Sequence, residues 1–232
     1  MLLSNAKWIL LLAAAASTIS LCSTKDKTKC EQARSAVRTA LDQSNLPSAK
    51  QWREQAWKQC DDRAALDRLD KDIVDKEAEV AAKATKDAQT SQVLKLFQSF
   101  ISSQMASPSG QCAPEKTPDF GWCTRSRRVT GSTSTFDVRY RQDDPSVAKF
   151  ATIVPGEAKC ADLGGTEVRS WKVARAAGGQ AQRLHCKLTG AGLDGFEALA
   201  SMEPDGTRVT AASPKWLATD SGLRRQLDQE GK

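Results

Sequence analysis

The feature that most constrains the fold is a run of 60 residues, 48–107, that contains neither glycine nor proline. Connections between β-strands depend on these two residue types, whereas the interiors of helices exclude them. We therefore predict that most of this run is helical. The polar stretch KDAQTSQ contains Asp87 and offers capping hydroxyl groups, which predicts a hinge at residues 87–91.

The segment after this hinge, SQVLKLFQSFISSQM, concentrates apolar side chains. They are Val93, Leu94, Leu96, Phe97, Phe100 and Ile101. Helices that lie on a membrane surface carry Lys or Arg on their polar face, and here only Lys95 is present. We therefore predict that this short helix packs into a core, either against the preceding helices or against the next domain, rather than binding a membrane or a partner.

Two further helices precede this region and are predicted to form a hairpin. Ala33, Val37 and Leu41 share one side of the first helix, and Ser48 is a suitable N-cap for the second. The turn NLPS contains residue 45, which is the midpoint of Cys30 and Cys60. Residues equidistant from the turn of an antiparallel hairpin lie opposite each other. We therefore predict a Cys30–Cys60 disulfide, worth about 3–4 kcal/mol on the chain-entropy model.

The character of the sequence changes after the proline- and glycine-rich stretch at residues 107–118. Short alternating segments follow, and the sequence EPDGT predicts a hairpin turn. We expect six or seven mostly antiparallel strands. The predicted fold is α+β: a signal peptide at 1–21, a helical hairpin with an extended helix at 22–107, a small disulfide-stabilised antiparallel β domain at 108–217, and a polar C-terminal tail at 218–232.

The N-terminal sequence MLLSNAKWILLLAAAASTISLC has the order of an export signal: a positive charge, a short apolar run and small residues. The apolar run is shorter than the roughly 20 residues that span a bilayer. Ile19, Ser20 and Cys22 resemble the acylation signal of bacterial lipoproteins, in which the cysteine becomes the lipid-bearing first residue. Leu21 departs from that signal, because a small residue is usual before the cysteine.

The alternative is ordinary cleavage, for example after Ala16, with Cys22 left as a thiol or disulfide partner. The cysteine count favours lipidation, because removing Cys22 from the seven cysteines leaves six, and exported proteins seldom keep a free thiol. Ser23 and Thr24 provide no retention aspartate, so the resemblance implies sorting to the outer membrane. We therefore expect a cell-envelope protein that faces the periplasm or the surface, with secretion as the alternative.

The remaining four cysteines, Cys112, Cys123, Cys160 and Cys186, allow three connectivities. Proximity along the chain favours Cys112 with Cys123 and Cys160 with Cys186. The sequence has no C-x-x-C motif and only one histidine, so we expect no metal site and no cofactor.

One pattern in the β half predicts an anion-binding face. Arg139 and Arg141 share one side of a predicted strand, and Arg125 and Arg127 share one side of another. If the strands paired suitably, all four arginines would project together, and guanidinium groups bind phosphate or carboxylate bidentately. The net charge of +6 is spread along the chain without a dense basic run, so nucleic acid is not expected as a partner. A solvated sheet face is the simpler interpretation.

The sequence contains no familiar catalytic motif. His185 precedes Cys186, and neighbouring strand residues point to opposite faces, so an inward Cys186 predicts an exposed histidine. The preferred hypothesis is a non-enzymatic envelope lipoprotein, tethered to the membrane, that interacts with envelope proteins or an anionic polymer. The alternatives are a secreted effector or hydrolase with a cleft in the β domain, and an anion-binding envelope module.

Overall fold

A computed structural model describes residues 26–107, 121–175, 178–190 and 192–229. The chain divides into two compact units, Met1–Ala81 and Ala82–Lys232, so the division falls inside the long helix. N-terminal helices are followed by an antiparallel sheet, which confirms the predicted α+β class.

Among the described residues, the first unit contains helices α1 (Lys27–Asp42) and α2 (Leu46–Gln59) and the start of α3 (Arg63–Ala106). Asp26 caps α1 by accepting hydrogen bonds from the backbone of Thr28 and Lys29. Asn45 caps α2 by accepting from the Ser48 backbone N–H. The predicted N-cap of α2, Ser48, was therefore wrong, since the helix begins about one turn earlier. Pro47 lies within the first turn, where the backbone N–H that proline lacks is not needed.

Small side chains let α1 and α2 approach closely, and the start of α3 adds leucine and isoleucine side chains to the same core. The buried residues of its core are Ala33, Val37, Ala40, Ala49, Ala56, Cys60, Leu66, Leu69 and Ile73. The disulfide between Cys30 and Cys60 is present, with the two Cα atoms 4.9 Å apart, which confirms the prediction from the hairpin turn.

Helix α3 runs without interruption from Arg63 to Ala106, so the predicted hinge at 87–91 was wrong. The polar residues there contact a loop of the second unit instead of breaking the helix. Thr90 is fully buried and accepts a hydrogen bond of 2.7 Å from the Gly156 backbone. The Ser91 hydroxyl donates to Asp162 at 2.7 Å.

The second unit contains a seven-stranded sheet. Its strands are β1 (Trp122–Arg128), β2 (Thr135–Arg141), β3 (Ala148–Val154), β4 (Gly165–Ala174), β5 (Gln180–Leu188), β6 (Glu197–Glu203) and β7 (Gly206–Ala212). The spatial order is β1-β2-β3-β7-β6-β5-β4, and every neighbouring pair is antiparallel. The fold therefore joins two meanders through the pairing of β3 with β7, and the EPDGT turn connects β6 to β7 as predicted. Gly206 is required in that turn, because its φ is 143° and a Cβ there would collide with the carbonyl oxygen of Val154.

One face of the sheet packs against the C-terminal part of α3. Phe97 and Phe100 contact Phe136 with ring centroids 5.2 and 5.4 Å apart, and Leu94 and Ile101 are fully buried in the same core. This confirms that the segment has a core face, although Leu96 remains 46% exposed.

The C-terminal helices α4 (Pro214–Thr219) and α5 (Ser221–Gln229) pack on part of the opposite face. Their buried residues include Trp216, Leu217, Leu223 and Leu227. The polar tail expected at 218–232 is therefore an amphipathic helix as far as Gln229. Its two leucines, four residues apart, lie on one side and cover apolar sheet residues.

Cys160 and Cys186 form a disulfide with Cα atoms 5.4 Å apart, which decides their pairing. Cys123 is also disulfide-bonded, while Cys112, its expected partner, lies outside the described residues. Disulfides persist in oxidising compartments, so these bonds indicate a non-cytoplasmic protein. Among the residues that the structure describes, no helix is long and apolar enough to cross a membrane.

Candidate functional site

A row of side chains crosses the face of the sheet opposite α3, beginning at Trp171, which packs against the cluster formed by α4 and α5. Trp171 lies opposite Arg183, Arg183 opposite Ser201, Ser201 opposite Arg208, and Arg208 opposite Ile153. Residues directly opposite in antiparallel strands share a face, so all five project together. Arg208 is exposed and Ile153 is 46% exposed. We call these five residues the arginine row.

The surroundings of the arginine row are positively charged. On the same face, Arg169 lies two residues before Trp171 on β4, and Arg175 follows the end of β4. Arg175 has a carboxylate nearby, since its Nε lies 3.6 Å from Glu203 Oε2. The Arg183 Nε donates to the Ser201 hydroxyl at 3.1 Å, which orients its guanidinium group within the row.

Trp171 and Arg169 add a stacked pair at one end of the row. The Arg169 guanidinium carbon lies 4.6 Å from the centroid of the Trp171 ring. Within the described part of the chain, Arg169 Nη2 and Trp171 Nε1 are buried atoms without a hydrogen-bond partner. Buried donors normally have a partner, and each unmade bond is costly. Both atoms are inaccessible to solvent, so a ligand acceptor would reach them only after the Arg169–Trp171 pair had moved.

The four arginines predicted from the sequence do not share a face. Arg125 lies opposite Val138 and Arg127 opposite Phe136, and these two partners point into the core beneath α3. Arg139 and Arg141 have the opposite parity on β2 and face the other side of the sheet. The predicted four-arginine face was therefore wrong: each pair shares a side, but the register separates the pairs. Arg141 forms an ion pair with Asp143.

Arg139 and Lys149 lie in the covered part of the second face. Trp122 and Trp216 meet edge-to-face with their ring centroids 4.9 Å apart. The Arg139 guanidinium carbon lies 5.1 Å from the Trp122 ring centroid, and Lys149 Nζ lies 4.8 Å from that of Trp216. These cations stack on indole rings beside α4, so this cluster holds the C-terminal helices on the sheet.

Asp220 joins α4 to α5 and is tied to the same cluster. Its carboxylate accepts a 2.9 Å hydrogen bond from the Trp216 indole and a 3.0 Å bond from the Leu223 backbone. Burial alone would raise the pKa of Asp220, but these hydrogen bonds and the charge of Lys149 lower it below its ordinary value. The carboxylate therefore remains ionised and caps the start of α5.

His185 is only 7% exposed, so the prediction of an exposed histidine was wrong. It does point away from Cys186, but α5 covers this part of the face. His185 Nε2 lies 2.7 Å from Glu197 Oε2, and Arg224 of α5 donates to the other carboxylate oxygen at 3.3 Å. A hydrogen-bonded histidine and carboxylate could serve in acid–base chemistry, but here the pair is buried beneath a helix.

The proposed lipidation site, Cys22, lies outside the described residues, so it stays a prediction. Across the described ranges, no group of three or more His, Cys, Asp or Glu side chains is arranged to hold a metal ion.

Sequence reasoning did not identify the arginine row. Two of its pairings follow from local turns: the short connections β4–β5 and β6–β7 set Trp171 opposite Arg183 and Ser201 opposite Arg208. The contact that joins these pairs, Arg183 with Ser201, depends on the longer β5–β6 connection. No turn motif fixes that register.

The comparisons with known proteins give no relative for this chain. No protein-family model matches the sequence, and no curated protein or solved structure is significantly similar to it.

Proposed function

We propose that the protein is a non-enzymatic component of the cell envelope that binds an anionic polymer through the arginine row. The observation that carries this proposal is the cross-strand alignment of Trp171, Arg183, Ser201 and Arg208, which runs from the edge of the α4–α5 cluster across the sheet to the exposed Arg208. Arg169 and Arg175 on the same face add positive charge beside the row and support the same conclusion.

The spacing of the row suits a ligand with repeated charges. Arg183 and Arg208 are separated by one strand, which corresponds to about 10 Å across the sheet. A guanidinium group binds phosphate or carboxylate through two parallel hydrogen bonds. A single exposed contact of this kind is weak because solvent screens it, so useful affinity requires a polymer that contacts several arginines at once.

A lipid on Cys22 would hold this binding unit at the membrane. The export signal and the cysteine that closes it support a tether, and the disulfides agree with an oxidising compartment. Helix α1 begins at Lys27, so only four residues separate the proposed anchor from the first helix. Tethering would keep the arginine row within the envelope and raise its effective concentration near an envelope polymer.

The proposed binding is tested by titrating the mature protein with polyphosphate and with polygalacturonate, which present phosphate and carboxylate groups respectively. We expect salt-sensitive binding to at least one polymer. The variant Arg183→Gln/Arg208→Gln should weaken it at least tenfold. The control Arg127→Gln/Arg225→Gln removes the same charge from exposed positions in the same unit and should change the Kd less than threefold.

Two outcomes would contradict the binding proposal. One is that neither polymer binds at low salt. The other is that both double variants lose affinity equally, which would mean that net charge rather than the row attracts the polymer. Phosphatidylglycerol vesicles serve as a separate probe, and a marked preference for vesicles over both polymers would assign the face to lipid headgroups instead.

The tether is tested by the intact mass of the protein extracted from the membrane, before and after reduction. We expect a chain that begins at Cys22 and carries acyl groups, with six thiols released only on reduction. A chain that begins elsewhere and carries no lipid would remove the tether, while the binding proposal would stand on its own test.

The buried His185–Glu197 pair is the observation that favours the alternative of a hydrolase. For this function α5 would have to move away before substrate could reach the histidine. A hydrolytic activity abolished by His185→Gln, in a variant that remains folded, would make this the preferred function.

A further inference from the structure

A groove on the first unit has a composition different from the rest of the surface. It lies between α1 and α2 and has a volume of about 350 Å³. Its lining residues are Lys29, Gln32, Ala33, Gln51, Trp52, Gln55 and Gln59. Trp52 is 42% exposed, which makes it one of the few large apolar side chains that this unit presents to solvent.

The helices build this groove from their two adjoining faces. On α2, Ala49 and Ala56 are buried in the core, while Trp52 and Gln55 occupy the neighbouring face. The Cys30–Cys60 disulfide lies at one end of the groove, next in sequence to Lys29 and Gln59. This crosslink holds the two walls together, so a ligand would meet a site whose backbone is already ordered.

The polar groups of the groove are almost entirely uncharged. Four of its seven residues are glutamines, and only Lys29 carries a charge, in a chain of which 27% of residues are charged. Within the described ranges, the amides of these four glutamines make no hydrogen bond to the protein. Each amide offers two donors and an acceptor, and the Trp52 ring provides a flat apolar surface beside them.

The uncharged amides and the indole ring argue against an anionic or an apolar ligand and favour a sugar. An anion would meet only one cation, and an apolar ligand would leave the amides without partners, which is costly. A sugar ring has hydroxyl groups that both donate and accept along its edge, and a face of C–H groups that packs on an indole ring. The groove also falls within the roughly 300–1,000 Å³ typical of small-ligand sites.

We propose that this groove binds a neutral oligosaccharide, with Trp52 packing against a sugar ring and Gln55 and Gln59 bonding its hydroxyl groups. The site is separate from the arginine row and does not depend on the function proposed for it. The protein would then contact two chemically different parts of an envelope polymer or of two polymers.

The test is calorimetric titration of the mature protein with three neutral tetrasaccharides, made from N-acetylglucosamine, from β-linked glucose and from α-linked glucose. We expect saturable binding to at least one of them. Trp52→Ala should abolish the binding, and Gln55→Ala/Gln59→Ala should weaken it at least tenfold. Gln89→Ala makes the same change on an exposed turn of α3 and should have no effect.

The variants also separate loss of the site from loss of the fold. Alanine favours helix at least as strongly as glutamine does, so the double glutamine variant should have an unfolding midpoint no lower than that of the parent protein. Hydrogen exchange of the α1 and α2 amides in Trp52→Ala should equal that of the parent. The proposal is overturned if none of the three tetrasaccharides binds saturably, or if binding survives unchanged in both groove variants.

Discussion

His185 Nε2 lies 2.7 Å from Glu197 Oε2 across neighbouring strands β5 and β6, beneath helix α5. The other oxygen of Glu197 accepts a hydrogen bond from Arg224, which belongs to that helix. The carboxylate therefore connects a buried sheet histidine to the helix that covers it. This contact ties α5 to the sheet beside the arginine row, since His185 and Arg183 lie two residues apart on the same face of β5.

Replacing Glu197 with alanine should destabilise the second unit by about 1–3 kcal/mol, because it leaves the buried His185 nitrogen without its partner. Urea denaturation followed by circular dichroism measures this loss. The control is Glu157→Ala, which removes a half-exposed carboxylate paired with Lys83 at 3.3 Å. Exposed ion pairs contribute little, so the control should lie within about 1 kcal/mol of the parent. Equal losses in the two variants would show that the His185 contact has no special value.

Leu94 and Leu96 provide a matched pair on α3, since Leu94 is fully buried against the sheet and Leu96 is 46% exposed. Leu94→Ala should lower the unfolding free energy by about 2–5 kcal/mol, because it opens a cavity in the core. The same substitution at Leu96 should cost well under half as much. Comparable losses at both positions would contradict the packing of this helix face on the sheet.

Removing the Cys30–Cys60 disulfide by replacing both cysteines with serine should destabilise the first unit by about 3–4 kcal/mol on the chain-entropy model. Hydrogen exchange measures the effect locally: amides of α1 and α2 should exchange faster, while amides of the sheet serve as the internal reference. Unchanged protection of α1 and α2 would mean that helix packing alone holds the hairpin.

The stability of the second unit should depend on pH in the acid range because of the Asp144 carboxylate. Its carboxylate accepts hydrogen bonds from Lys215, at 2.8 Å, and from Ser146, which lower its pKa from 3.8 to about 2. Because folding lowers this pKa, the contribution of Asp144 to stability is complete above pH 3.8 and is lost as the pH falls towards 2. The Tm difference between the parent and Asp144→Asn should therefore shrink over that interval. A difference that stays constant from pH 5 to pH 2 would be inconsistent with this titration.

Local patterns in the sequence were sufficient for much of the fold. The Cys30–Cys60 pairing followed from the symmetry of one turn, and the β6–β7 hairpin from EPDGT, because both depend on residues close together in the chain. Residues 93–101 were recognised as a core face from their apolar side chains alone.

The features that local patterns missed depend on distant contacts. KDAQTSQ resembled a helix break because its polar residues lacked visible partners, and the partner of Thr90 is the backbone of Gly156. His185 was expected to be exposed because nothing local to β5 indicated that Leu223 and Leu227 of α5 would cover its face. The register of β1 against β2 places the two predicted arginine pairs on opposite faces of the sheet. A shift of one residue would bring all four arginines onto the same face, and no local pattern excludes that shift.

The most direct test of the anion-binding proposal is a nuclear magnetic resonance titration of the ¹⁵N-labelled protein with polyphosphate, observing the tryptophan indole signals. We expect the Trp171 signal and the backbone amides around Arg183, Ser201 and Arg208 to shift progressively, while the Trp52 signal remains in place. Shifts centred on Arg125 and Arg127, or spread evenly over all cationic surfaces, would contradict the assignment of binding to the arginine row.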